Sequence, residues 1–191
     1  MEQDFYSNFF TIRDEDRKKT LIYLDSFLGL NNSSFNASID ASKAPNTYVV
    51  RKGSKWADVL FASSLNLVVS EQFKELFQNF KGVSFFPVNI LSKDLIVLEV
   101  NYFNMVITGK CGGIVNELSK EVLATRIVGG PVFIKRLGLY FDLTTWDRSD
   151  FFNPEKTLNI FITQKVKDLI EKHKLTNVRI TSISEVENFI I

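Results

Sequence analysis

Three aspartates, Asp142, Asp147 and Asp150, fall within nine residues, beside Trp146, Arg148, Phe151 and Phe152. Carboxylates this close could act as an acid and base pair, as in a hydrolase, or hold a hard metal ion. A structural use competes with both and is favoured. Aspartates serve turns, and Trp and Phe can anchor the entry to a following element. If the stretch acts on anything outside the chain, an interface is the best reading. Trp and Arg are common anchors of binding energy, and acids at a rim steer a basic partner. The candidate binding residues are therefore Trp146, Asp147, Arg148, Asp150 and Phe152, with Trp56 and Asp58 as their counterparts upstream.

Other reactive residues are sparse. A serine or cysteine triad would have to use the single histidine, His173. Its spacing puts it on an apolar helix face near the helix end, which predicts a partly buried helix-end histidine. The single cysteine, Cys111, sits in GKCGG. A glycine turn could expose the thiol and Lys110 could lower its pKa, but a lone turn cysteine is more often incidental. One Cys and one His cannot make a structural zinc site. The 109–113 glycine run lacks the spacing and the Ser or Thr of a phosphate-binding loop. No catalytic residue, metal ligand or cofactor is assigned.

The totals fit one large domain or two small lobes: 191 residues, 45% hydrophobic and 24% charged. Eighteen phenylalanines favour β-rich packing. A net charge of +1 argues against a dedicated nucleic-acid binder. One cysteine allows no internal disulfide, which suits a reducing compartment. MEQDFYSNFF does not read as a signal peptide, and no apolar run reaches the roughly 20 residues of a membrane helix. A cytoplasmic protein without nucleic-acid or membrane partners is the simplest expectation.

Four segments are expected within one compact domain. Residues 1–55 hold N-terminal strands and an Asn/Ser-rich loop at 29–46, read as mobile, with a specificity loop as the lesser alternative. Residues 56–103 hold a strand–helix–strand unit with a hairpin turning at 91–95. Residues 104–145 form a β-rich connection, in which 114–127 is equally arguable as helix or strand. Residues 146–191 hold a second strand–helix–strand unit, with a short final helix over 184–189 capped by Ser184.

The two units align from Asn66 and Asn159 without a gap to Lys81 and Lys174. Ser70 and Thr163 occupy matching helix N-cap positions. Phe73, Leu76, Phe77 and Phe80 match Val166, Leu169, Ile170 and His173, one apolar stripe in each helix. Gly82 and Asn177 stop the helices, since both tolerate the left-handed conformation. The expected fold is thus α+β: a mostly antiparallel sheet with two similar units packing their helices on it.

LVVSEQFKELF followed by GVSFFPV, with a second unit ending in LTNVRI, resembles a group of bacterial immunity proteins from polymorphic toxin systems. The resemblance spans roughly residues 56–183. It implies an α+β protein, not an enzyme, that binds and neutralises a cognate toxin protein. It carries no catalytic residue over, and it leaves the oligomeric state open. A hydrolase or metal-dependent enzyme using Asp142, Asp147 and Asp150, or a protein-binding scaffold outside any toxin system, are the alternatives.

Overall fold

The computed structural model describes residues 5–14, 20–27, 46–62, 67–125 and 129–189. Within them the strands form three sheets. Six strands close a barrel, in the order β2 (Tyr23–Ser26), β3 (Thr47–Lys52), β6 (Val83–Leu91), β7 (Tyr102–Ile107), β5 (Leu67–Ser70) and β4 (Val59–Ala62). Parallel pairs β3–β6 and β2–β4 complete the ring. A five-stranded sheet runs β13 (Val178–Ser182), β1 (Phe9–Asp14), β12 (Ile160–Thr163), β11 (Phe151–Pro154) and β8 (Gly109–Cys111). A three-stranded sheet runs β14 (Glu187–Phe189), β10 (Val132–Leu137) and β9 (Lys120–Thr125). Two short helices, α1 (Glu71–Phe77) and α2 (Gln164–Lys172), and two 3-10 turns join the strands.

Strand alternation builds the cores, because successive side chains point to opposite faces. In β5, Val68 enters the barrel while Leu67 and Val69 point outward; Leu24, Tyr48, Leu60 and Ile90 also fill the barrel. The buried Tyr48 hydroxyl donates to Asn104 Oδ1 at 2.7 Å, so neither polar group is left without a partner there. The outer barrel face meets Phe10, Ile12, Ile160 and Ile162 of the five-stranded sheet in a second cluster. Helix α1 adds Phe73 and Phe77 to it, and α2 adds Val166 and Ile170. Each such side chain contributes about 1.5–3 kcal/mol by leaving water. On the far face of the same sheet, Phe9, Phe141, Phe152 and Phe161 form a third cluster of edge-on rings 5.0–5.8 Å apart.

The α+β expectation is corrected: the protein is mostly β, with three sheets and two short helices among the described residues. The helices are not a repeated layer on one sheet. Each packs mainly against strands of a different sheet, α1 against β5 and β7, α2 against β12 and β1. Two ambiguous or helical stretches fall to strand. Within 114–127, a 3-10 turn at Asn116–Leu118 leads into β9. The expected final helix over 184–189 is a 3-10 turn at Ile183–Glu185 followed by β14, and Ser184 lies inside that turn rather than capping it. Pairing with β10 supplies the backbone partners that local propensity alone does not specify.

Strands β6 and β7 do pair antiparallel, but 95–101 is not the return strand. A single bridge, Leu91 with Val97, precedes a connection reaching Tyr102. The Asn/Ser-rich loop lies outside the described residues except for its last position, Asn46.

Candidate functional site

Asp58 stands just before β4 and Asp150 just before β11. Asp58 Oδ1 accepts from the Ser70 hydroxyl at 2.7 Å, and the Ser70 hydroxyl accepts from Phe73 N–H at 3.3 Å, capping α1. Asp58 Oδ2 accepts from Thr176 N–H at 2.8 Å and from the Thr176 hydroxyl at 2.7 Å. Asp150 is arranged the same way. Its Oδ1 accepts from the Thr163 hydroxyl and its Oδ2 from Lys81 N–H, both at 3.3 Å. Thr163 makes no side-chain bond to the first turn of α2.

The residues after these latches also correspond. Gly82 adopts φ +90° and Asn177 φ +58°. A Cβ on Gly82 would meet Phe151 O at 2.0 Å, while Asn177 Nδ2 donates to Val59 O at 2.6 Å. Glycine yields to a carbonyl at one position; asparagine bonds one at the other.

The three aspartates are each bonded to donors of the fold itself. Asp142 Oδ1 accepts from the N–H and hydroxyl of Thr144, at 2.8 and 2.7 Å, which hold its pKa below the ordinary carboxylate value. Asp147 is pushed upward by partial burial. The Ser149 hydroxyl, the N–H groups of Lys110 and Ser149, and the Lys81 ammonium outweigh this and leave it lowered. Lys81 Nζ also donates to Asp147 O. Among the described residues, no three His, Cys, Asp or Glu side chains come together in a way that could hold a metal ion.

The aromatic candidates are anchors. Phe152 is fully buried and offers no surface to a partner. Trp146 packs edge-on to Phe9 at 5.0 Å and donates from Nε1 to Ser149 O at 3.2 Å. Trp56 lies against Tyr102 at 5.2 Å, at the barrel core. Arg148 and Asp147 remain exposed at the tip of their loop, with Arg148 at φ +60°. His173 is exposed at the C-cap of α2 rather than partly buried. Cys111 lies in β8 at 3% exposure; burial first, then the charges of Asp147, Glu155 and Asp142, pushes its pKa up to about 12. It is not an exposed turn thiol.

The surface feature that residue types did not reveal is on the three-stranded sheet. Leu123 of β9 is 75% exposed, Val132 and Ile134 of β10 are 61% and 46% exposed. Leu123 and Ile134 are cross-strand partners, and Val132 pairs with Thr125. The described side chains of β9 and β10 include none that is buried. The strip depends on the strand character of Lys120–Thr125, which residue types alone leave open.

No family model matches the chain, and no curated protein matches it. Among the described residues, no helix is long and apolar enough to cross a membrane.

Proposed function

We propose that this chain is a non-catalytic immunity protein that neutralises a cognate bacterial toxin by binding it. The observation that carries the reading is the Leu123–Ile134–Val132 strip. An apolar surface on a thin sheet is the kind of feature that marks a protein contact. Among the described strands β9 is also the last of its sheet, with Lys120 the one lysine along it. Edge strands accept an added strand, whose backbone supplies affinity and whose side chains meet the apolar strip. The Glu121–Arg136 pair at 3.4 Å borders that strip and supplies a polar rim. The occupant is a β-strand of the toxin. The resemblance of residues 56–183 to immunity proteins supplies the partner's class, and the local bonding of Asp142, Asp147 and Asp150 favours binding over hydrolysis.

Co-expression with the product of the neighbouring gene tests this. A stable complex, protection of cells, and loss of both with Leu123→Lys or Ile134→Lys are expected. Absence of a complex together with absence of protection overturns the reading.

A further inference from the structure

Arg13 of β1 and Arg179 of β13 are direct cross-strand partners. Both are exposed. Like charges placed opposite one another on neighbouring strands destabilise the pair. Among the described residues, neither guanidinium has an ion-pair partner at bonding distance. The nearby Glu187 is already bonded to Lys135 at 2.5 Å. The sheet therefore sets two like charges opposite one another, at a cleft whose lining also holds the acids Glu185 and Glu187.

The pair opens into a cleft of about 630 Å³. One side is β-sheet, with Thr181 beside Arg179 and Asn159 just ahead of β12; the other is the 3-10 turn and its exit, with Glu185. Leu158, 60% exposed, lies at the same cleft. The volume lies in the range of small-molecule sites.

We propose that this cleft binds a phosphate monoester of a hydroxyl-bearing small molecule, with the phosphate on Arg13 and Arg179. Two guanidinium forks match the charge and the several oxygens of a phosphate dianion, whereas one fork already satisfies a carboxylate. Thr181 and Asn159 supply neutral donors at the same wall. Glu185 can only accept when ionised, so it faces the hydroxyl end of the ligand rather than the phosphate. The proposal does not rest on the toxin reading, because Leu123, Val132 and Ile134 are not among the residues that line the cleft.

The test is calorimetric titration of the full chain with ribose 5-phosphate, inorganic phosphate, acetate and ribose. Ribose 5-phosphate is expected to bind best, inorganic phosphate more weakly, and acetate and ribose not measurably. Arg13→Gln and Arg179→Gln should each weaken ribose 5-phosphate binding by about tenfold or more. Arg51→Gln, at an exposed pair with Asp25, should leave it unchanged. Arg179→Lys keeps the charge but loses the fork, and should also weaken binding while the thermal midpoint is retained. Without ligand, Arg13→Gln should raise that midpoint, because it removes the opposed charge. No binding of ribose 5-phosphate, binding unmoved by the Arg13 and Arg179 variants, or acetate binding equally well would each overturn the proposal.

Discussion

Asp58 and Asp150 each bind the hydroxyl that precedes a helix in their own half, then reach across to the start of a strand in the other. Asp58 joins Ser70 to Thr176, and Asp150 joins Thr163 to Lys81. Two carboxylates thus lock α1 and α2 to the strands that follow the opposite helix. A sidedness follows from the distances: every Asp58 side-chain bond is 2.7–2.8 Å, against 3.3 Å for those of Asp150.

The Asp58→Ala variant should therefore lose more stability than Asp150→Ala, about 2–3 kcal/mol against about 1 kcal/mol. Chemical denaturation of both variants and of the double variant checks this. Equal losses would contradict the ranking drawn from the bond lengths.

Gly82→Ala should be severely destabilising, by about 3 kcal/mol or more, since it combines φ +90° with a Cβ 2.0 Å from the Phe151 carbonyl. Thermal unfolding measures it. A midpoint shift of under a degree would show that β11 can move aside.

Acid stability should depend on Asp147. Its folded pKa is lowered, so its contribution is present above the unfolded carboxylate value of about 3.9 and is lost as pH falls through the folded value. Asp147→Asn should flatten the fall in stability below pH 4 and lower stability at pH 7. Denaturation midpoints across pH 2–7 provide the readout, and an unchanged acid limb would contradict it.

Cys111 should resist thiol reagents in the folded protein at pH 8 and react fully on unfolding, because only thiolate is nucleophilic and its pKa is pushed up to about 12. With the folded pKa raised above the unfolded one, its stabilising contribution is complete below about pH 8.5 and declines as pH rises toward 12. Absorbance labelling with and without denaturant decides the first point. Prompt stoichiometric reaction of the native protein would mean that β8 opens.

The apolar strip should be dispensable for folding. Leu123→Lys, at 75% exposure, should change stability by no more than about 0.5 kcal/mol. Denaturation separates this from any effect on a partner, and a large loss would place Leu123 inside the fold's own packing.

Local signals were legible in the sequence where chemistry is local. Ser70 reads as a cap and does cap α1; Gly82 and Asn177 are left-handed as read, but the helices end earlier, at Phe77 and Lys172, with Gln78 and His173 as C-caps. The Phe73 and Phe77 stripe is buried as its spacing requires. What the sequence did not show was pairing at a distance. Nothing in FFTIRD indicates that it lies between β12 and β13, and the choice between helix and strand for 114–127 depends on β10 being available. The Trp146 loop reads first as structural, its Trp and Phe as anchors, and its rings do anchor; that they meet Phe9, far away in the sequence, is what residue types do not show. The Arg13–Arg179 pairing is a product of that same long-range register.

Strand β1 is made first and needed last. Its two neighbours, β12 and β13, lie at residues 160–163 and 178–182. At ordinary elongation speeds of about 5–20 residues per second, Phe9–Asp14 waits on the order of ten seconds for them on the ribosome. The barrel strands, 23–107, are all synthesised in that interval and, among the described residues, form their barrel ladders only with one another. Until Ser182 emerges, an apolar strand with both edges open accompanies a completed barrel. A nascent chain stalled before that point exposes Phe9, Phe10 and Ile12, and is the form most prone to bind chaperones or aggregate.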